Sequence, residues 1–319
     1  MTLLPADHPQ RLELADEAHA RPPEPLEAPA RVTYVAVLVA PEQRESELAH
    51  LGALCAPFGV APPSAGATHF SAGLGGGLRL KWERHGEFSG YTFFSAGLGS
   101  SPFSEPPAAL LPPGWLAAVP GATIVAAHAE LMRAADQPAD AAFLARHFGA
   151  NIVVGADIGD GAGLVFTDFR IHADGCARFV VLDHSFTPRQ AGRSLQRLFE
   201  IEAYRMLALL ALPIARRQSA RIVEIEKSLA ALAEAIALDS GLDSGNDDEA
   251  LLNKLTRLAA EVERELAASQ FRFGACRAYH ELVSTRIGEL REKRLSGMQT
   301  IEEFMASLSL NIPFRNSVL

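Results

Sequence analysis

Cysteine is scarce. The three residues, Cys55, Cys176 and Cys276, lie far apart and are odd in number. Nothing pairs them at zinc-ligand spacing, and they read as small reduced core residues of a cytosolic compartment. Long apolar runs are missing as well. The longest, Met206 to Ala215, is well below the roughly 20 residues that span a bilayer, and it contains Pro213. The opening MTLLPADHPQR has no basic region followed by an apolar run, so no secretory signal is read there. The expectation is a soluble, cytoplasmic chain. There is no basic excess either. A formal net charge of −9 argues against a general nucleic-acid binder, because neutralising phosphates needs a basic surface.

Several catalytic signatures are also absent. Gly73–Gly77 (GLGGG) lacks the Lys-Ser/Thr of a phosphate loop, and Leu78 stands where the dinucleotide fingerprint wants its third glycine. Gly97-Leu98-Gly99-Ser100-Ser101 does not match the hydrolase elbow. No nucleophile triad is visible, so the reading leans away from an enzyme.

What is present is ordinary folded composition, 48% hydrophobic and 21% charged, with room for two domains. Residues 1–30 are polar and proline-rich and read as an extended arm. Arg31–Ala40 reads as a buried strand, and Glu42–Leu54 as a helix. Thr68–Leu74, Leu78–His85 and Glu87–Ser95 are three strands separated by glycine. In the second, Leu78, Leu80 and Trp82 alternate with Arg79, Lys81 and Glu83, the period of a half-buried strand. Thr123–Leu131 reads as a further strand and Asp140–Phe148 as a short helix. Asn151–Asp157, Gly163–His172 and Ala177–His184 form a predicted meander with turns at Gly159–Gly161 and Asp174–Gly175. The hexapeptide FSAGLG occurs twice, at Phe70–Gly75 and Phe94–Gly99. It is too short to establish a duplication.

From Thr187 the pattern changes. Thr187, Pro188 and Gln190 form a capping box that opens one helix to Leu238, roughly 78 Å long at 1.5 Å per residue, with a kink at Pro213. Ile222, Ile225, Leu229, Leu232 and Ile236 form a heptad seam of coiled-coil type. The repeat LDSGLDSG makes a turn. Asn246 and Asp247 then cap a second helix from about Asp248 to Phe304. Its seam includes Leu251, Leu255, Leu258, Val262 and Leu266, then Val283, Ile287 and Leu290. Two long helices joined by a short loop fold back on each other as an antiparallel hairpin, or each breaks into shorter helices packed on the body. The expected fold is α+β: a body of mixed or antiparallel sheet with helices over 1–186, then a long antiparallel helical hairpin over 187–319.

Four segments, HPQRLELADEAHARP (8–22), KWERHGEFSGYTFF (81–94), TDFRIHADG (167–175) and PRQAGRSLQRLFEIEAYRMLALLALPIAR (188–216), resemble an uncharacterised bacterial family of predicted membrane-anchored proteins with a domain of unknown function. The resemblance covers about His8 to Met305. It implies a cytoplasmic body, long helices and hydrophobic spans near a more distant C-terminus, at the inner membrane. After TIEEFM (Thr300–Met305) this chain reads ASLSLNIPFRNSVL, where the family's helix continues, so a truncated or frame-shifted chain without the spans is expected. The family brings no catalytic residues to carry over. A body followed by long helices is also similar in architecture, by analogy alone, to CorA-type magnesium channels.

The candidate sites are polar clusters. His19 and Arg21, in HARPP, can bind an anion or present an imidazole, or they tie down the N-terminal arm. Glu83, His85 and Glu87 share a face if the strand continues past Gly86, and can then hold a divalent cation or share a proton. If Gly86 turns the chain, they are a solvated hairpin face. Asp168, Arg170, His172 and Asp174 alternate on a predicted strand, a set suited to a phosphate or a metal, or to surface ion pairs. Pairing of the two strands would converge these faces. Arg197, Glu200 and Tyr204 open the helical arm, and either form intrahelical pairs or reach into the body or a neighbouring subunit, where a buried Glu200 needs Arg193 or Arg197. The leading expectation is a non-enzymatic scaffold or sensor that forms a homo-oligomer through its arm. The alternative is a metal-dependent enzyme, or a divalent-cation regulatory or transport-related domain.

Overall fold

A computed structural model describes residues 5–12, 14–15, 22–238 and 245–310. The chain divides into two compact units, Met1–Ala203 with Ser284–Ala306, and Tyr204–Val283 with Ser307–Leu319.

The first unit carries a nine-stranded sheet. Its strands are β1 (Ala30–Leu38), β2 (His69–Gly73), β3 (Arg79–Arg84), β4 (Phe88–Ala96), β5 (Ala122–Arg133), β6 (Val154–Ile158), β7 (Gly163–Thr167), β8 (Ala177–Asp183) and β9 (Lys293–Arg294). Their order is β2-β3-β4-β1-β5-β8-β7-β6-β9, and the one parallel pairing between named strands is β5 with β8. The predicted body strands are present, and β6, β7 and β8 form the expected antiparallel meander. The FSAGLG repeat falls on β2 and β4, the two strands that flank β3.

Helices cover both faces. On one, α1 (Arg44–Cys55) places Leu51 and Leu54 against Leu80, Trp82, Tyr91 and Phe93. On the same face α2 (Ala141–Phe148) packs Phe143 and Phe148 against Phe166, Val180 and Leu182. Period-two alternation puts these side chains together and sends Lys81, Thr92 and Tyr34 to the opposite face. There α3 (Pro188–Leu209) stacks Phe199 on Tyr34, ring centroids 5.0 Å apart. The capping box at its start is formed. Thr187 Oγ1 accepts from the Gln190 amide at 3.3 Å, and Gln190 Oε1 accepts from the Thr187 amide at 2.9 Å. Gly192 is required where α3 passes the Glu24 carbonyl, because a Cβ there would lie 1.8 Å from that oxygen.

The second unit is a helical hairpin of α4 (Leu212–Leu238) and the greater part of α5 (Gly245–Leu290). Gln218 donates to the Glu265 carbonyl, and Arg221 pairs with Glu261. Contacts step backward along α5 as they advance along α4, so the helices are antiparallel.

Two helix extents differ from expectation. The helix expected from Thr187 to Leu238 is two helices. Pro213 has no N–H to give Leu209, and its ring crowds that carbonyl. The break lies at Leu210 and Ala211, whose amides reach back three residues, to Leu207 and Ala208, instead of four. The second helix starts at Gly245 and ends at Leu290, not Phe304. Arg291 takes a left-handed φ of 53°, β9 pairs with β6, and α6 (Ile301–Leu310) begins afresh. Thr300 and Glu303 make its capping box, a signal legible in Thr-Ile-Glu-Glu. The LDSGLDSG turn lies almost wholly outside the described residues.

Candidate functional site

The densest functional geometry in the first unit is a polar chain running from β3 across α3 to the last turns of α5. Lys81, 5% exposed, pairs with Glu83 at 2.9 Å and donates to Gln196 Oε1 at 3.2 Å. Gln196 donates onward to Glu200 Oε1 at 2.7 Å, and Glu200 Oε2 pairs with Arg286. Arg286 then meets Glu289 at 3.1 Å, and Arg197 pairs with the same carboxylate at 3.0 Å while donating to the Glu289 carbonyl. Each charge in this chain therefore has an opposite partner, as half-buried charges require. Beside it lies a small cleft lined by Tyr34, Phe94, Lys81, Glu83, His85 and Glu200, among others.

The sequence located much of this chain but not its partners. Glu200 is held by Gln196 and Arg286, and Arg197 by Glu289, so neither of the arginines expected to pair with Glu200 does so. Tyr204, in the second unit, stacks on Tyr279 at 5.8 Å. Arg286 and Glu289 were not singled out, because an ion pair between residues about 90 positions apart leaves no local trace.

The row expected of Glu83, His85 and Glu87 does not form. β3 ends at Arg84 and β4 starts at Phe88, so Gly86 lies in the turn and His85 and Glu87 leave the strand. The His85 ring stacks on Phe88 at 4.3 Å. Asp168, Arg170, His172 and Asp174 are likewise off the strand, because β7 ends at Thr167 and Phe169 turns the chain with a φ of 51°. Asp168 instead ties a loop. It accepts from Asn151 at 2.7 Å and from the Arg170 amide at 3.2 Å, and it pairs with His172 at 2.9 Å. Four strands, β4, β1, β5 and β8, separate β3 from β7, so the two polar sets do not converge. Among the described residues no group of three or more His, Cys, Asp or Glu is placed to hold a metal. His19 and Arg21 lie outside the described residues.

Two buried polar nodes escaped the sequence reading, each built from residues on different elements. Glu47 of α1, fully buried, accepts from Trp82 Nε1 at 3.0 Å, Tyr91 OH at 2.8 Å and Arg84 at 2.8 Å. Burial, then the Glu47 charge, holds the Tyr91 phenol protonated far above its ordinary range. The second lies on β5, where buried His128 meets Thr33 of β1 at 3.0 Å and buried Glu130 faces His147 of α2 at 3.7 Å. Its one legible trace was period two in His128 and Glu130, which places both side chains on one face of β5.

No curated protein and no solved structure matches the chain. A family model described as "Protein of unknown function (DUF3422)" matches residues 6–307, nearly the whole length, and the chain belongs to that family.

Proposed function

We propose that this protein is a non-enzymatic scaffold or sensor that self-associates through its helical hairpin. One observation carries the reading: the hairpin buries only part of its apolar surface and leaves a heptad row of apolar side chains exposed. Along α5, Leu252, Leu255, Val262 and Leu266, with Ala259 between them, repeat at three and four residues and are exposed. Along α4 the expected seam splits. Ile225 and Leu232 are buried, whereas Ile222 and Leu229, seven residues apart, are exposed at 52% and 43%. A row of period 3.5 fits a helix bearing the same row, and a second copy of this chain supplies one.

The magnitude sets the expected strength. Six half-exposed aliphatic side chains offer roughly 1 kcal/mol each, so two copies offer about 12 kcal/mol gross. Association costs about 4–15 kcal/mol. The expected product is a discrete but concentration-dependent oligomer. The family resemblance adds anchoring at the inner membrane in a full-length form, with the sheet-bearing unit in the cytoplasm. Among the described residues no helix is long and apolar enough to cross a membrane. The metal reading draws less on the geometry, since Glu83, His85 and Glu87 lie at the end of β3 and Asp168 and His172 follow β7, with four strands between β3 and β7.

Sedimentation velocity across a concentration series tests this. The wild type should form a defined oligomer, and Val262→Glu with Leu266→Glu should reduce it to monomer while leaving helix content unchanged. A wild type that stays monomeric at high concentration removes the reading.

A further inference from the structure

Glu130 and His147 are buried, at 2% and 3% exposure, and face each other across 3.7 Å. His147 Nδ1 lies 2.8 Å from the Phe143 carbonyl, which can only accept, so Nδ1 carries the ring proton. In the neutral ring Nε2 is then a bare acceptor. It points at Glu130 Oε2, 3.7 Å away, and an ionised carboxylate is an acceptor too. Neither atom has a hydrogen-bond partner among the described residues. Two buried acceptors that face each other are matched by one shared proton.

The other carboxylate oxygen has a separate task. Oε1 accepts the Phe103 amide at 2.8 Å, which fixes the Pro- and Gly-rich loop of residues 97–114. Phe103 sits at a left-handed φ of 58°, with the Arg178 guanidinium 5.0 Å over its ring. A non-glycine residue at that φ persists only where its surroundings hold it. The charge on Glu130 is therefore coupled to the loop.

We propose that Glu130 and His147 form a one-proton receptor that reports mild acidification to the loop of residues 97–114. The proton comes from solvent and bonds to Oε2. The resulting acid O–H donates to Nε2, the 3.7 Å gap closes to hydrogen-bond distance, and α2 tightens onto β5. The bond from Phe103 to Oε1 weakens at the same time, because a neutral acid accepts less strongly than a carboxylate. Arg31 of β1 and Arg178 of β8 act on Glu130, and Arg146 of α2 and Arg178 act on His147. His128 of β5, bonded to Thr33, has Asp174 and Arg178 as its charged neighbours. Burial pushes the Glu130 carboxyl up and the His147 imidazole down, which favours the neutral acid beside the neutral ring over an ion pair. The inference does not depend on self-association.

The test is NMR of the full chain, labelled in glutamate carboxyl carbon and histidine nitrogen, from about pH 5 to about pH 8.5. Glu130 and His147 Nε2 should respond in one step with a common midpoint above the ordinary carboxylate range, and the Phe103 amide should move with them. Glu130→Gln mimics the protonated acid: its carbonyl keeps Phe103 and its amide donates to Nε2. That variant should lose the His147 response and make hydrogen exchange over residues 98–111 independent of pH once intrinsic rates are removed. Should it fail to fold, His147→Gln, whose amide donates to Oε2, should abolish the pH response of the loop in the same way. The proposal is overturned if His147 titrates in Glu130→Gln as it does in wild type. It is equally overturned if Glu130 titrates in the ordinary range without a response at His147, or if the loop keeps its pH dependence in His147→Gln.

Discussion

Replacing Glu47 by glutamine should destabilise the sheet-bearing unit severely, although the two side chains are nearly the same size. The carboxylate takes three donors on two oxygens: Trp82 and Tyr91 on Oε1, Arg84 on Oε2. An amide has one oxygen. If its NH2 replaces Oε2, it meets the Arg84 guanidinium donor to donor. If it replaces Oε1, it meets the Trp82 N–H and the Tyr91 hydroxyl. Both orientations remove the carboxylate charge that pairs with Arg84, whose side chain is 12% exposed. Removing one partner of a buried pair costs about 3–5 kcal/mol. That is a large share of the 5–15 kcal/mol typical of a folded domain. The assay is built into the molecule. Its only two tryptophans, Trp82 and Trp115, sit in the same core cluster as the Glu47 node. Urea unfolding followed by tryptophan fluorescence should show a lower midpoint with an unchanged slope. Adding Arg84→Met should recover part of the loss, since the guanidinium that opposes the new amide goes with it. If Glu47→Gln lies within about 1 kcal/mol of wild type, or the double variant is simply additive, the buried pair is not what holds α1 to the sheet.

Two further outcomes follow from the same unit. Gly192→Ala drives a Cβ to 1.8 Å from the Glu24 carbonyl, so the segment over residues 22–29 must detach or α3 must shift. Overpacking of this kind costs about 1–3 kcal/mol, and limited proteolysis should cut that segment faster than in wild type; equal rates would contradict the contact. Glu292 is pushed up to about 7 by burial, and its Oε1 has no hydrogen-bond partner among the described residues. Because the folded value lies above the unfolded one of 4.5, the folded state binds this proton first. Its stabilisation is complete below the unfolded value and is lost as pH rises through about 7. Glu292→Gln should therefore flatten the fall in stability across that interval, and an unchanged pH slope would show that Glu292 is not the titrating group.

The elements were legible because their signals are local. Period two in Leu78–Glu83, the glycines between strands, and the box of Thr187, Pro188 and Gln190 act within a few residues of backbone. Where the sequence reading ran on too far, a local signal had been outweighed by a periodic one. Pro213 was expected to kink a helix that it in fact divides, and the Thr300–Glu303 box was submerged in a continuing apolar pattern. Gly86 ends the row of Glu83, His85 and Glu87, and Phe169 ends that of Asp168, Arg170 and His172, because a side-chain row needs an unbroken strand.

The sequence by itself determined the strands, the helices, the heptad spacing of the hairpin and the lack of basic charge, all of which follow from short-range geometry and composition. Only the tertiary structure decided which charges meet. Arg286 reaches Glu200, Arg84 reaches Glu47 and His147 faces Glu130 because sheet order and helix packing bring them together. Pairing across such separations is set by the whole fold, since Coulomb attraction and desolvation depend on distance in space rather than along the chain.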